Sequence, residues 1–175
     1  MPLHADAQDS VAAVRLVPAR PVDADVLVGT QIRAFHDDAR RFEPGCRQAT
    51  PGGPPGYDSR AWQLEMMKRG KYFAIEHFGQ VVGGAIAFPI GSGKMNLGRI
   101  WIDPAWQGRG IGRAAITQLH ERFATTRTWA LETPAWAVRN HHICESLGYV
   151  RVGQRPCPNG FVEYLYERTA EEPLT

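Results

Sequence analysis

The residues of this chain best suited to chemistry stand together at Gln107-Gly-Arg-Gly110-Ile-Gly112-Arg113. Glycines at alternate positions let a backbone close on a ligand and take φ angles that other residues avoid. A helix that begins at Ile111 would offer unpaired amides and a positive dipole end to the same place. Such a turn cradles phosphate, and Arg109 and Arg113 add two cations that suit a pyrophosphate better than a single carboxylate. The plainer reading is a tight turn with small residues for packing and two solvated arginines; these seven residues alone do not separate the two.

Two other phosphate motifs fail on the letters. A Walker loop needs a glycine five places before Gly93-Lys94 and Ser or Thr after, where the chain has Phe88 and Met95. A dinucleotide fingerprint needs a third glycine where Arg113 stands, and too little chain follows for a second nucleotide-binding half, although Glu132 sits at a suitable distance for a ribose carboxylate.

The elements that must position this turn follow from periodicity. Val14 to Val17 is predicted as a strand ended by Pro18, and Asp23 as the cap of a helix over Ala24 to Arg41 that Pro44-Gly45 stops. Gly45 to Ser59, rich in glycine and proline, reads as a long shaped loop on the substrate side, flanked by Asp37, Asp38, Tyr57 and Asp58. Acidic groups there would attract a cationic amine, while a run such as His36-Asp-Asp38 also suits a solvated helix end. Ser59 caps a second helix that carries Trp62, Met66 and Met67 inward and ends at Gly70. Tyr72 to Glu76 and Val81 to Phe88 form a hairpin turning at Gly79-Gln80, and Met95 to Ile102 follows as a further strand. A helix over Ile111 to Phe123, a strand over Thr128 to Leu131, a helix over Asn140 to Leu147 and strands at Val150 to Val152 and Phe161 to Tyr166 complete a mixed α/β chain.

At 175 residues, the chain fits one domain over 13–169 with tails at 1–12 and 170–175. Its 43% hydrophobic and 22% charged content and mean hydropathy of -0.32 are those of a folded globular protein. A net charge of +2 provides no basic field for nucleic acid or a membrane surface. No apolar run approaches the roughly 20 residues of a membrane span, and Met1 to Ser10 lacks the core of a signal peptide, so the cytoplasm is the expected compartment. Cys46, Cys144 and Cys157 are too few and too scattered for a disulfide framework, and His141, His142 and Cys144 cannot converge from one helix on an ion, so no metal is expected.

The sequence resembles the GNAT superfamily of acyl-CoA-dependent N-acyltransferases, whose Q/R-x-x-G-x-G/A motif is matched by Gln107 to Gly112 behind a hydrophobic strand and proline (Ile100-Trp-Ile102-Asp-Pro104). Arg139-Asn-His-His-Ile-Cys-Glu-Ser-Leu-Gly148-Tyr149 resembles the family's asparagine and F-Y-E-K-L-G-F block. The resemblance spans about Val14 to Arg168 by element order and is strongest over Asn96 to Val150. It implies an α+β fold with a strongly twisted, mostly antiparallel sheet of about six to seven strands and about four helices, in which the fourth strand, Met95 to Ile102, splays from its neighbour at a bulge. It further implies acetyl-CoA as cosubstrate, held by Ile100, Trp101, Ile102, Gln107, Gly108, Arg109, Gly110, Ile111, Gly112, Arg113 and Asn140, with the pantetheine arm paired to the strand like an added strand. The amide near Ile100 would stabilise the oxyanion, and transfer to the amine would be direct.

The usual catalytic groups are missing. On the fourth strand Asn96, Gly98 and Ile100 occupy the places of the base, and Cys144 replaces the tyrosine acid. Glu132 is the candidate base, needed because an alkyl ammonium with a pKa near 10 must lose a proton before attack. Cys144 is a candidate acid, though a thiol also packs well. Asp37, Tyr57 and Asp58 are candidate substrate contacts. The expected activity is acetyl transfer to a primary amine of a small molecule, without nucleic acid or membrane partner and with a homodimer left open. The alternative is a non-catalytic acyl-CoA-binding or sensing module that has lost the acid and base.

Overall fold

Apolar residues alternate along the central strands to both faces, which forces the sheet to be covered on both sides. The structure, a computed structural model, describes residues 11–41, 53–158 and 160–170. Cys46, Pro44-Gly45, residues 45–52 of the expected loop, and most of the expected tails lie outside the described residues. Among the described residues, seven strands form one open sheet: β1 (Val14–Pro18), β2 (Lys71–His77), β3 (Gln80–Gly91), β4 (Lys94–Ile102), β5 (Thr128–Pro134), β6 (Val150–Pro156) and β7 (Val162–Thr169). Their order is β1-β2-β3-β4-β5-β7-β6, antiparallel throughout except for β4 and β5. Parallel neighbours need a crossover, and helix α3 (Ile111–Arg122) supplies it.

Helices α1 (Ala24–Arg41) and α2 (Arg60–Arg69) cover one face, where Leu27 and Ala34 of α1 share a core with Tyr72, Ala74, Ile86 and Trp101 of the sheet. Helix α3 and α4 (Val138–Ser146) cover the other, where Ile111, Ala115, Ile116 and Leu119 pack against Phe73, Ala85, Leu97 and Trp129. Among the described residues, the mixed, mostly antiparallel sheet with four helices is the fold expected from the sequence. No described helix is long and apolar enough to cross a membrane.

Several boundaries differ, each for a local reason. A 3-10 turn at Pro21–Asp23 precedes α1, and the Asp23 carboxylate reaches back to accept from the Arg20 amide at 2.8 Å, so the helix entry lies three residues before the expected cap. The hairpin turns at Phe78-Gly79, where φ values of 49° and 78° give the left-handed pair that a two-residue hairpin loop requires. Strand β5 continues to Pro134, which places Glu132 inside the strand rather than at its end, and α4 starts at Val138 rather than Asn140. Ser59 caps α2 as expected, accepting from the Trp62 amide at 3.2 Å.

Candidate active site

The site begins where two strands part. Strand β4 pairs with β5 only through Lys94, Met95 and Asn96, opposite Thr128, Trp129 and Ala130; from Leu97 onward the two diverge. At the same place Gly98 is an extra residue against β3, since Ile86 pairs with Arg99 and Ala87 with Leu97. A side chain at 98 would strike the Phe88 ring, with Cβ only 2.7 Å from Phe88 Cε2. The bulge also reverses the face to which β4 residues point. Met95 and Leu97 face α3, and beyond the bulge so do Ile100 and Ile102, while Trp101 joins the opposite core.

The opened edge of β4 carries usable backbone. Asp103 donates its amide to Val82 O at 2.8 Å, so alternation turns the amides and carbonyls of Ile100 and Ile102 away from β3, toward the gap. Gln107 Nε2 donates to the Ile102 carbonyl at 2.8 Å, which folds the following turn against that edge. The turn holds Gly108 and Gly110 at φ 74° and 76°, and Gly110 caps α3 from the left-handed region. Nothing lies within 4 Å of where a Cβ on Gly108 would stand, so the backbone there is open to a ligand. Arg109 is anchored to the Ala105 carbonyl at 3.2 Å and over the Trp106 ring, and Arg113 to the Ser146 carbonyl at 3.1 Å, both exposed beside the α3 N-terminus. Gly112 and the amide of Ile111 complete that first turn, although the Ile111 side chain is core.

Trp101 is not available to a ligand in the gap. Its indole is 4% exposed and donates to Thr30 Oγ1 at 3.0 Å, lying flat where Gly84 leaves room for the ring. Asn140 donates to Thr133 Oγ1 at 3.3 Å, tying the start of α4 to the far end of β5, and Arg139 reaches Gln107 Oε1 at 3.2 Å across the gap.

The face of the gap turned to α1 and α2 is where an acceptor would stand. Trp129 and Leu131 face α3, so Glu132 faces the other way, on the acceptor side. Its Oε1 is 4.0 Å from Arg155, whose closer partner is Glu163 at 2.7 Å. Asp37 is taken up by Arg40 and Arg41, at 3.1 and 2.7 Å, and so has little charge left to draw a cationic amine. Tyr57 packs edge-on to Phe35 and shares a hydrogen bond of 3.1 Å with His36, while Asp58 is exposed. Asp38 is half-buried, and burial raises its carboxyl pKa against the pull of Arg139. Beside the turn that follows β4, a cavity of about 370 Å³ is lined by Arg33, His36, Arg40, Asp103, Pro104 and Ala105, with Arg33 paired to Asp103 at 2.6 Å.

Cys144 lies in the core at 5% exposure, and burial pushes its thiol up to about 11. The side chain that sequence reading missed is Arg99. Counting alternate residues selects Asn96, Gly98 and Ile100 for the acceptor face, but the bulge puts Arg99 there and turns Ile100 away. A glycine inside a strand pattern is the signal that would have warned of it. Arg99 is half-buried, its guanidinium 4.2 Å from the Trp62 ring centre and 5.8 Å from that of Phe35, and it donates to the Pro55 carbonyl at 3.3 Å. With the Gln31 amide turned so that both of its ends find partners, Gln31 accepts from Arg99 at 3.3 Å and donates to the Tyr57 carbonyl at 3.0 Å.

Comparison with known proteins agrees with this fold. The family model described as "Acetyltransferase (GNAT) family" matches residues 32–149. No curated protein matches the chain. Among solved structures, the PaiA N-acetyltransferase from Thermoplasma acidophilum in complex with coenzyme A superposes with a TM-score of 0.74 at 10% identity, over 90% of this chain and 99% of that one. The ribosomal-protein-S18-alanine N-acetyltransferase from Escherichia coli gives 0.68 at 20% identity, over 93% and 99%. The microcin C7 self-immunity acetyltransferase MccE, in complex with acetyl-CoA and AMP, gives 0.72 at 13% identity, over 90% and 93%. At these identities the likeness establishes the fold.

Proposed function

Since the chain belongs to the acetyltransferase (GNAT) family, we propose that it transfers an acetyl group directly from acetyl-CoA to a primary amine of a small molecule. The observation that carries this reading is the parting of β4 from β5 beyond Asn96 and Ala130, which leaves a backbone edge leading into a glycine turn and a helix N-terminus. Residues fit the cosubstrate along its length. The edge at Ile100 and Ile102 suits the amides of a pantetheine arm, and the amides of Gly108 to Gly112 with Arg109 and Arg113 suit a pyrophosphate. Two of the solved relatives hold coenzyme A or acetyl-CoA, which supports the same cosubstrate here.

Each residue then has a definable task. The amide of Ile100 polarises the thioester carbonyl as negative charge develops on its oxygen. Glu132 takes the proton that the acceptor ammonium must lose. The freed nitrogen attacks the carbonyl carbon, the N–C bond forms as the C–S bond breaks, the nitrogen gives up its second proton to solvent to become the amide, and solvent protonates the leaving thiolate. Cys144 is assigned to packing. A thiol held at about 11 would donate to a thiolate of ordinary pKa near 8.5 only uphill, by roughly 3 kcal/mol. Asn140 positions the start of α4 against β5 through Thr133.

The buried Cys144 also favours a second reading, a module that binds acyl-CoA without turnover, and one experiment separates the two. Thiol release from acetyl-CoA is followed over a panel of primary amines, with calorimetry of coenzyme binding alongside. Amine-dependent thiol release supports the enzyme; tight binding with background release for every amine would establish the sensor instead.

A further inference from the structure

Arg99 is an arginine in an unusual position. Among the described residues, Arg20, Arg33, Arg40, Arg41, Arg60, Arg69 and Arg155 pair with carboxylates, and Arg109, Arg113, Arg122, Arg139 and Arg151, which do not, are exposed to water, whereas Arg99 is half-buried on the acceptor face and pairs with none. Its neighbours are neutral: the Pro55 carbonyl, the Gln31 amide and the rings of Trp62 and Phe35. Two of its five N–H groups find acceptors there, which leaves a planar fork with donors to spare. Burial without a counter-ion pushes the guanidinium down to about 10. A desolvated cation held in this way is costly unless an anion completes it.

The location indicates which anion. Arg99 precedes Ile100, whose amide faces the gap, and it lies on the same sheet face as Glu132, on the other side of the opening from it. One side of the acceptor space therefore offers a lone cation and the other a carboxylate. That pattern complements a zwitterion, with its anionic end at Arg99 and its ammonium toward Glu132. One guanidinium matches one negative charge and the two oxygens of a carboxylate; a phosphate dianion would call for more donors, as the turn at Gly108 to Arg113 supplies. Asp37, which would otherwise favour a polycation, is taken up by Arg40 and Arg41.

We infer that Arg99 is a specificity-determining residue that binds the carboxylate of the acceptor, so that the acceptor is an amine bearing a carboxylate, of the amino-acid class. This rests on the acetyltransferase reading above and narrows it. The aromatic rings that flank Arg99 hold its fork in place and exclude water from the pair it would form.

The test measures kcat/KM with acetyl-CoA for the free L-amino acids, each against its own carboxamide, with phosphoethanolamine and spermidine as further arms. Arg99→Gln and Arg99→Lys are assayed beside the native chain, with melting temperature and coenzyme affinity recorded for each. The expected result is a preference of at least tenfold for the acid over its amide in the native protein, expressed in KM. Arg99→Gln should bring that ratio close to one, and Arg99→Lys, which keeps the charge and loses the fork, should fall between. If Arg99 only clips the Pro55 segment to β4, the melting temperature drops while the acid-to-amide ratio stays where it was, and the inference fails. It fails equally if the native enzyme prefers amides, phosphoethanolamine or spermidine. Should Arg99→Gln not fold, the native acid-to-amide ratio and Arg99→Lys still decide. If no amine in any arm releases thiol, the acetyltransferase reading itself has failed, which is a different outcome.

Discussion

The two halves of the cleft are built by different means. On the proposed cosubstrate side, the work would fall to backbone: a strand edge freed from its neighbour, glycines at φ 74° and 76°, and the first turn of α3. On the proposed acceptor side it would fall to side chains, Arg99 and Glu132, placed by one bulge at Gly98 and by the alternation of β5. Backbone sites tolerate variation in most side chains but not in glycine, whereas side-chain sites change specificity with single substitutions. The acceptor half should therefore be the easily altered one.

The sharpest way to break this comparison is Gly110→Asp. It places a side chain in the left-handed region and a negative charge at the pyrophosphate site, and should lower coenzyme affinity by about 100-fold or more, some 3 kcal/mol, by calorimetry. Retained affinity would move the cosubstrate elsewhere. Glu132→Gln should lower kcat by about 100-fold while the coenzyme dissociation constant stays within about twofold, since the proposed base stands in the other half. An equal loss of binding and turnover would merge the two halves.

Next in size is a pH effect within the cosubstrate half. His120 on α3 shares a hydrogen bond of 2.8 Å with Tyr149, and burial first, then Arg168, holds its imidazole down to about 4. The unfolded chain takes up that proton near pH 6.5, before the folded one does, so the stability present above pH 6.5 is lost as pH falls toward 4. The loss should be on the order of 2 kcal/mol after allowing for partial solvent screening, read by denaturant melts between pH 7 and 4.5. His120→Gln should flatten that slope. On the acceptor side, Ser59→Ala removes the α2 cap and should cost about 1 kcal/mol by melting, with coenzyme affinity unmoved. Smallest of all, Cys144→Ala should change kcat by less than about twofold, as packing requires and an acid role would not allow.

The strand, turn and helix of the proposed cosubstrate half were legible because local spacing encodes them. The strand, the glycine turn and the helix at Ile111 are contiguous, and the motif Gln107 to Gly112 carries its geometry within six residues. Trp101 was misplaced among the ligand contacts because its burial against Thr30 depends on α1, some 70 residues away in the chain. Arg99 is not selected from the sequence because the expected bulge in the strand Met95 to Ile102 has no position there, so alternation runs through Gly98 to Ile100, and the register that places the bulge at Gly98 is set by β3. Asp37 looked available to substrate because its partners Arg40 and Arg41 are helical neighbours whose pairing depends on side-chain conformation. Tertiary registry and ion-pair choice were thus the missing information, whereas periodicity and glycine placement were sufficient for the rest.

The most direct test of the central claim, that strand edge and glycine turn hold the cosubstrate by their backbone, is a coenzyme A titration of the 15N-labelled protein followed by amide chemical shifts. The largest changes should fall on Ile100, Ile102 and Gly108 to Gly112, with Arg155 and Glu163 on the β6–β7 hairpin little affected. Shifts concentrated on that hairpin, or on the cavity formed by Arg33, His36 and Arg40, with Ile100 to Gly112 unmoved, would contradict it.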